Sequence, residues 1–200
     1  MSFTVGHSTH SIEAFIALLE RIGVTAIADV RSSPYSKFSP QFTREALRKS
    51  LRDANIAYTF LGKEFGARSD DPACYRAGKV QYDLLAKQPA FADGVARVKE
   101  GMARYSIALM CAEKDPIECH RALLVARQFR QIDIPVAHIH ADGSLEQQEV
   151  FESRLLAICK LPEGDMFKTR AEFLQEAYAR QGERVAFQDD AMHSGEVKTQ

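Results

Sequence analysis

The chain has 200 residues, of which 46% are hydrophobic and 26% charged, a composition typical of one globular domain with a buried core. Because 26 basic residues balance 27 acidic ones, no overall positive charge indicates nucleic acid or a membrane surface as a partner. The four cysteines form no Cys-x-x-Cys pair, which argues against a disulfide scaffold and a zinc ribbon. The sequence contains neither a long apolar run nor a signal-peptide pattern, so we expect a cytoplasmic protein with no membrane partner.

Short apolar runs alternate with segments of helical periodicity, the pattern of buried strands joined by amphipathic helices. The predicted strands cover residues 3–5, 25–30, 56–61, 107–110 and 136–139. The predicted helices cover residues 12–22, the region around 47–54, 91–102 and 116–130, and further helices open at 144–147 and after Thr169. Ser11, Asp115 and Thr169 are the predicted N-caps of three helices, and residues 62–78 form a long predicted loop.

Strands separated by helices require crossover connections, which favour parallel pairing with helices on both faces of the sheet. We therefore predict a three-layer α/β domain over residues 1–160, with a mainly parallel sheet of about five strands. A C-terminal helical extension is predicted at 161–187 and a disordered polar tail at 188–200.

Residues that directly follow the predicted strands are the first candidates for a site, because ligands of parallel sheets bind beyond the carboxyl ends of the strands. Four predicted strand ends carry reactive or ionisable side chains. These side chains are His7 and Ser8, Asp29 and Arg31, Cys111 and Glu113, and His140 and Asp142.

Several short motifs near these ends occur together in one known family. They are Gly6-His7-Ser8, Asp29-Val30-Arg31 with Pro34, Leu61-Gly62, Cys111-Ala112-Glu113, Cys119-His120-Arg121, and His138-Ile139 before Asp142-Gly143. Over roughly residues 1–145 the chain resembles the family called domain of unknown function 488. The resemblance implies a Rossmann-like α/β fold. It marks as motif positions, without assigning them roles, Arg31, Cys111, Glu113, Cys119, His120 and Arg121.

Cys111 ends a predicted strand and faces the start of the helix predicted after Asp115. A helix N-terminus attracts anions and lowers the pKa of a nearby thiol, and arginine side chains bind phosphate or carboxylate through two parallel hydrogen bonds. The leading hypothesis is an anionic or nucleotide-like ligand held by Arg31 and Arg121, with Cys111 as a nucleophile or redox thiol. The sequence leaves open whether the protein is an enzyme.

In two alternative interpretations the cysteines do not react with a substrate. Cys111 and Cys119 fit equally as small apolar fillers between sheet and helix. The other alternative is an anion or nucleotide pocket that uses the arginines without thiol chemistry. Cys119 and His120 are further candidates for ligand binding. If Cys111 is a redox thiol, Cys119 is its candidate resolving partner. We predict no metal, because adjacent Cys119 and His120 on a helix would point about 100° apart.

Histidines supply further candidates. His7 and Glu113 are the predicted acid–base residues, since a histidine ordinarily titrates near pH 6.5, although His7 is equally suited to binding a turn carbonyl. His138 and His140 share one face of a predicted strand, and only His140 is expected to reach the strand end. The remaining ligand-binding candidates are Ser8 and His140. The sequence has neither a Walker loop nor a Gly-x-Gly-x-x-Gly turn, so it identifies no cofactor, and the oligomeric state is unknown.

Residues 31–52 form a locally basic stretch, with six basic residues and one acidic residue. Arg44, Arg48 and Arg52 are spaced four apart and form one ridge of a predicted helix, with Lys49 beside them. Aromatic residues precede this ridge, so the alternative function is non-catalytic binding of nucleic acid, with arginines on phosphates. A solvated helix face explains the same pattern without any partner.

Overall fold

Five parallel strands and one antiparallel strand form the central sheet in the computed structural model, which describes residues 2–189. The strands of the described chain are β1 (Ser2–Gly6), β2 (Ala26–Asp29), β3 (Ala57–Phe60), β4 (Tyr75–Arg76), β5 (Lys79–Val80), β6 (Ile107–Cys111), β7 (Val136–Ile139) and β8 (Leu145–Gln147). The sheet order is β3-β2-β6-β1-β7-β8, with β8 antiparallel to β7, and β4 and β5 form a separate hairpin. The predicted, mainly parallel sheet is confirmed, and its central strand β6 ends at Cys111.

Helices cover both faces of this sheet. They are α1 (Ile12–Ile22), α2 (Arg44–Asp53), α3 (Gly62–Phe65), α4 (Tyr82–Leu85), α5 (Pro89–Met102), α6 (Arg127–Gln131), α7 (Gln148–Ile158) and α8 (Arg170–Val185). Alternate residues of β6 face opposite sides: Ala108 and Met110 pack with α1 and α2, whereas Leu109 and Cys111 pack with α5 and α6. A third apolar cluster joins α7 to α8. The three-layer, Rossmann-like α/β class is therefore confirmed.

The predicted helix ends are confirmed where the signal and the helix end lie within a few residues of each other in the sequence. Ser11 Oγ accepts a hydrogen bond from Ala14 N at 3.2 Å, and Gly23 ends α1 with a φ of 76°. At the start of α8, Thr169 and Glu172 form the predicted capping box. These contacts need no long-range information, which is why the sequence predicts them.

The prediction of a single helix over residues 116–130 is wrong. A 3₁₀ turn covers Pro116–Glu118, a π-helical segment covers Arg121–Ala126, and only then does α6 begin. Cys119 lies between the two segments in an extended conformation, with φ −137° and ψ 138°. Its thiol donates a hydrogen bond to Glu113 at 2.8 Å, and we attribute the break to such tertiary contacts, which override local helix signals.

The helix predicted to open at 144–147 begins later than predicted. Residues Leu145–Gln147 form β8, and α7 follows it. Gly143 has a φ of 83°, and Asp142 Oδ1 accepts from Ser144 N at 2.9 Å, so a tight turn returns the chain against β7. Residues that the sequence assigns to a helix therefore form a strand instead, because they pair with the edge of the sheet.

The predicted loop at 62–78 contains α3, a 3₁₀ turn at Pro72–Cys74 and most of the β4–β5 hairpin. After α8 the chain runs along this hairpin, where Val80 N donates to the Phe187 carbonyl at 3.0 Å and Gln188 pairs with Lys79. Residues 190–200 of the predicted tail lie outside the described residues. The boundary at residue 160 stays a prediction. Within residues 2–189, no helix combines the length and apolarity needed to cross a membrane.

Candidate functional site at the strand ends

The carboxyl ends of β1, β2 and β6 meet because these strands are neighbours in the sheet. Gly6 is aligned with Cys111, and His7 N donates to the Cys111 carbonyl at 2.9 Å. A Cβ atom at Gly6 would lie 1.9 Å from the carbonyl oxygen of Glu113. Glycine at this position therefore lets the loop that carries Glu113 approach β1.

The Arg31 guanidinium is buried and held in one orientation. Its Nε and Nη2 donate to the two carboxylate oxygens of Asp29 at 2.9 and 2.7 Å, and its Nη1 lies 3.2 Å from His7 Nε2. The Tyr58 hydroxyl also donates to Asp29, at 2.9 Å. A guanidinium has five N–H bonds, and these contacts use three of them. The predicted role of Asp29 in orienting Arg31 matches this geometry.

His7 is held as a neutral imidazole. Because a guanidinium only donates, His7 Nε2 accepts from Arg31, and Nδ1 donates to the Ser8 carbonyl at 3.0 Å. The ring stacks on Phe42 with centroids 4.3 Å apart. Burial, aided by the charge of Arg31, lowers the pKa of His7 to about 4. The lone pair that a general base needs is therefore engaged by Arg31.

Two thiols, an imidazole and a carboxylate converge beside this pair. His120 Nδ1 lies 3.8 Å from Cys111 Sγ and 3.9 Å from Cys119 Sγ, and the three donor atoms all lie within 4.8 Å of one another. Cys119 Sγ donates to Glu113 Oε2 at 2.8 Å, and His120 Nε2 lies 3.0 Å from the Val30 carbonyl oxygen. Cys111, Cys119 and His120 are buried. We call these three residues and Glu113 the Cys/His cluster.

The groups of the Cys/His cluster shift one another's pKa. Burial, together with the hydrogen bond and charge of Cys119, raises the pKa of the Cys111 thiol. Burial also opposes ionisation of Cys119, but its hydrogen bond with Cys111 and the charge of Arg121 outweigh burial and lower its pKa. The resulting charge raises the pKa of His120 against the effect of burial, and burial raises the pKa of Glu113. The two thiols of the Cys/His cluster therefore have pKa values shifted in opposite directions.

A cleft of about 440 Å³ opens beside the Cys/His cluster. Its lining contains four of the predicted site residues, Arg31, Cys111, Glu113 and His120. The other lining residues are Ser32, Ser33, Tyr35, Ala67, Arg68, Tyr82, Ala112, Glu118, Val185 and Phe187. The cleft thus joins the predicted strand ends to the 62–78 segment, α4 and the end of α8.

Three predicted site residues lie beneath the cleft rather than in its wall. Arg121 is fully buried, and its Nη1 and Nη2 donate to the carbonyls of Glu113 and Lys114 at 2.8 and 3.2 Å. Ser8 N donates to the Ala112 carbonyl at 2.9 Å. Cys119 is buried, and its thiol donates to Glu113 of the same loop. Ser8 and Arg121 therefore hold the loop that follows β6, and Arg121 is placed to fix this loop instead of clamping a ligand in the cleft.

His138 and His140 belong to a separate polar region around β7 and β8. His138 is fully buried, whereas His140 lies 3.1 Å from Glu146 Oε2 and lines an open concavity with Lys114 and Asp115. The expectation that only His140 reaches the strand end is confirmed. The structure does not bring His140 into the cleft.

The basic ridge lies on α2, away from the cleft. Arg44 packs over the Phe60 ring, 4.8 Å from its centroid, and Lys49 pairs with Asp53 at 2.8 Å. Arg48 and Arg52 line an open concavity of about 570 Å³ that also contains Arg104, Tyr58 and Tyr105. Arg104 and Tyr105 follow the end of α5, so the ridge is extended by residues that the sequence pattern did not connect to it.

Several cleft residues carried no sequence signal. Arg68 comes from the predicted loop, Tyr82 from α4 and Phe187 from the segment after α8. The Arg68 guanidinium packs over the Phe187 ring at 4.2 Å, which joins two segments more than a hundred residues apart in the sequence. Only the tertiary structure reveals these neighbours.

Comparison with known proteins gives one family. The family model described as Domain of unknown function DUF488 matches residues 11–128, which is more than half of the chain. The chain belongs to this family. The match confirms the resemblance carried by the strand-end motifs, and it covers Arg31, the Cys/His cluster and Arg121. No curated protein and no solved structure is significantly similar to the chain.

Proposed function

We propose that the cleft beside the Cys/His cluster binds a small anionic, nucleotide-like ligand. The observation that carries this proposal is the Arg31 guanidinium in the cleft wall, which Asp29 and His7 hold in one orientation while N–H bonds remain for a ligand. A fixed guanidinium loses little conformational freedom when it binds an anion through two parallel hydrogen bonds.

The rest of the cleft wall suits the same class of ligand. Arg68 adds a second guanidinium, Ser32 and Ser33 add hydroxyl groups, and Tyr35 and Phe187 add aromatic rings on which a base could stack. The volume of about 440 Å³ is in the range of small-molecule sites. Of the three residues predicted to act chemically, Cys111 and Glu113 line the cleft and His7 supports Arg31 from behind.

Calorimetric titration with inorganic phosphate, adenosine monophosphate and adenosine tests this proposal. We expect the two phosphate compounds to bind and adenosine to bind more weakly. Arg68→Gln should weaken phosphate binding about 10- to 100-fold, since it removes a charge-assisted hydrogen bond of about 1.5–3 kcal/mol. The matched control is Arg104→Gln, whose side chain lies outside the cleft. Equal affinities of Arg68→Gln, Arg104→Gln and the unmodified protein would contradict the proposal, as would no binding of any phosphate compound.

Nucleic acid is the second candidate, and the observation that favours it is the gathering of Arg48, Arg52 and Arg104 around Tyr105. Fluorescence anisotropy of a labelled single-stranded oligonucleotide should give an affinity that falls steeply with salt. Here the two variants exchange roles: Arg104→Gln should weaken oligonucleotide binding and Arg68→Gln should not. Binding that is independent of salt would overturn this candidate.

A further inference from the structure

The Cys/His cluster has the donor atoms and spacing of a metal site. In a tetrahedral zinc site, with Zn–S of about 2.3 Å and Zn–N of about 2.0–2.1 Å, neighbouring donor atoms lie about 3.5–3.8 Å apart. The distances from His120 Nδ1 to the sulfurs of Cys111 and Cys119 are 3.8 and 3.9 Å. Both distances lie within a few tenths of an ångström of the zinc spacing, and the two sulfurs lie within 4.8 Å of each other.

The backbone brings together two adjacent side chains that a helix would separate. Cys119 is extended and the π-helical segment begins at Arg121, so the side chains of Cys119 and His120 converge. This removes the geometric reason for which the sequence predicts no metal. A π-helical turn is rare and often accompanies a functional site.

The His120 ring is oriented as in metal sites. A carbonyl oxygen only accepts, so His120 Nε2 donates to Val30 at 3.0 Å and the lone pair of Nδ1 points to the sulfurs. A metal-bound histidine almost always donates its other ring N–H to such an outer partner. This contact is independent of the two thiols and fixes the tautomer that coordination requires.

The surrounding charges balance a divalent ion. Two thiolates and the Glu113 carboxylate carry three negative charges, and Zn²⁺ with the buried Arg121 guanidinium carries three positive charges. Arg121 binds the carbonyl of Glu113, so the same side chain fixes the loop that supplies the fourth donor. Cys111, His120 and Glu113 all line the cleft, which provides a path for the ion.

We infer that Cys111, Cys119 and His120, with Glu113 in the fourth position, form a binding site for one zinc ion. Thiolate and imidazole donors suit Zn²⁺, whereas Mg²⁺ and Ca²⁺ prefer oxygen donors. Zinc replaces the thiol protons, which leave to solvent, and no redox change is involved. This site does not depend on the proposed anionic ligand.

Metal analysis of the purified full-length protein tests the inference. After removal of bound metal with a chelator and addition of zinc, elemental analysis of the gel-filtered protein should find about one zinc per chain. With Co²⁺ in place of Zn²⁺, we expect thiolate-to-cobalt charge-transfer absorption together with the intense visible bands of a tetrahedral site. Folded protein that retains no zinc, or that binds cobalt without thiolate absorption, would overturn the site.

Serine variants identify the ligands. Cys111→Ser and Cys119→Ser should each lower zinc affinity by more than the roughly 10- to 100-fold that loss of an outer partner costs, whereas the controls Cys74→Ser and Cys159→Ser, whose thiols lie outside the cluster, should bind zinc normally. Zinc affinities that are equal in all four variants would contradict the assignment. If a serine variant does not fold, the cadmium-113 chemical shift of the unmodified protein decides, since it reports whether two sulfurs are coordinated.

The two proposals fail in different ways. Zinc content and the cobalt spectrum are measured without any phosphate compound, and phosphate titrations are run on both zinc-loaded and metal-free protein. Zinc binding without phosphate binding removes only the proposed function. Phosphate binding by a protein that takes up no zinc removes only the metal site.

Discussion

Two polar regions at the strand ends differ in how their hydrogen-bonding groups are used. One is the Cys/His cluster with its cleft. The other surrounds β7 and β8, where His138 Nδ1 lies 2.8 Å from Thr4 Oγ1 and its Nε2 lies 3.0 Å from Gln148 Oε1. Gln148 in turn donates to the Tyr178 hydroxyl at 2.8 Å. Each polar atom of this buried chain has a partner inside the protein.

The charged part of the second region is equally complete. Arg154 donates to both carboxylate oxygens of Glu146 at 2.8 Å and to both of Asp115 at 3.0 Å. The Cys/His cluster differs, because its two sulfurs and His120 Nδ1 lie within 4.8 Å of one another, and Cys111 and His120 line a cleft. Polar side chains at a strand end therefore do not by themselves indicate a site; what distinguishes the cleft is unused bonding capacity directed at one point.

The largest expected effect is a loss of stability when the ion pair that orients Arg31 in the cleft wall is broken. Asp29→Ala leaves the buried Arg31 guanidinium without its carboxylate, and it should lower the free energy of unfolding by about 3–5 kcal/mol. Urea denaturation measures this change. Asp53→Ala is the matched control, since Asp53 is an exposed partner of Lys49, and it should cause no measurable loss. Similar losses of unfolding free energy in both variants would show that the buried Asp29–Arg31 pair stabilises the fold no more than an exposed ion pair does.

The second effect is a pH dependence that originates in the β7–β8 region. Burial lowers the pKa of His138 to about 3, below the value of about 6.5 expected in the unfolded chain. As the pH falls below about 6.5, the unfolded chain binds this proton first, so His138 should contribute a decrease in stability of about 1.4 kcal/mol per pH unit until the pH approaches 3, in addition to the contribution of His7.

Urea denaturation between pH 7 and 5 checks this slope. His138→Gln should reduce the slope by about 1.4 kcal/mol per pH unit. The control is His10→Gln, since the imidazole of His10 lies outside the buried hydrogen-bond chain. A slope in His138→Gln equal to that of the unmodified protein would mean that His138 takes up its proton equally in the folded and unfolded states.

The smallest effect sharpens the contrast between the two regions. Arg154→Ala should cost about 1 kcal/mol, because the side chain is partly exposed and its carboxylate partners gain access to water. Phosphate affinity and zinc content should not change in this variant, and both can be measured on the sample used for denaturation. A loss of phosphate affinity or of zinc content in this variant would show that the two regions act as one site.

Features that depend on neighbours in the sequence were predicted correctly. The apolar runs became strands, Ser11 and Thr169 became caps, and Arg31 and Cys111 reached one edge of the sheet because β2 and β6 are both parallel strands. Features that depend on distant contacts were not predicted. Arg68 and Phe187 meet only in the folded chain, and no periodicity indicates that they would line the same cleft.

The segment after β6 marks the limit of sequence reasoning. Asp115 caps the turn as predicted, accepting from Ile117 N at 3.0 Å, but the helix stops after one turn. The hydrogen bonds of Cys119 and Arg121 to the Glu113 loop lie outside any local pattern, and they turn Cys119 and His120 toward Cys111.

The sequence by itself determined the α/β class, the parallel strands and the edge of the sheet where the reactive side chains gather. Hydrophobic periodicity and caps are local, and parallel strands necessarily share one carboxyl edge. Only the tertiary structure decided which of those side chains form hydrogen bonds that stabilise the fold and which converge on an open cleft. That choice depends on hydrogen-bond partners far apart in the chain, such as Val30 for His120 and Gln148 for His138.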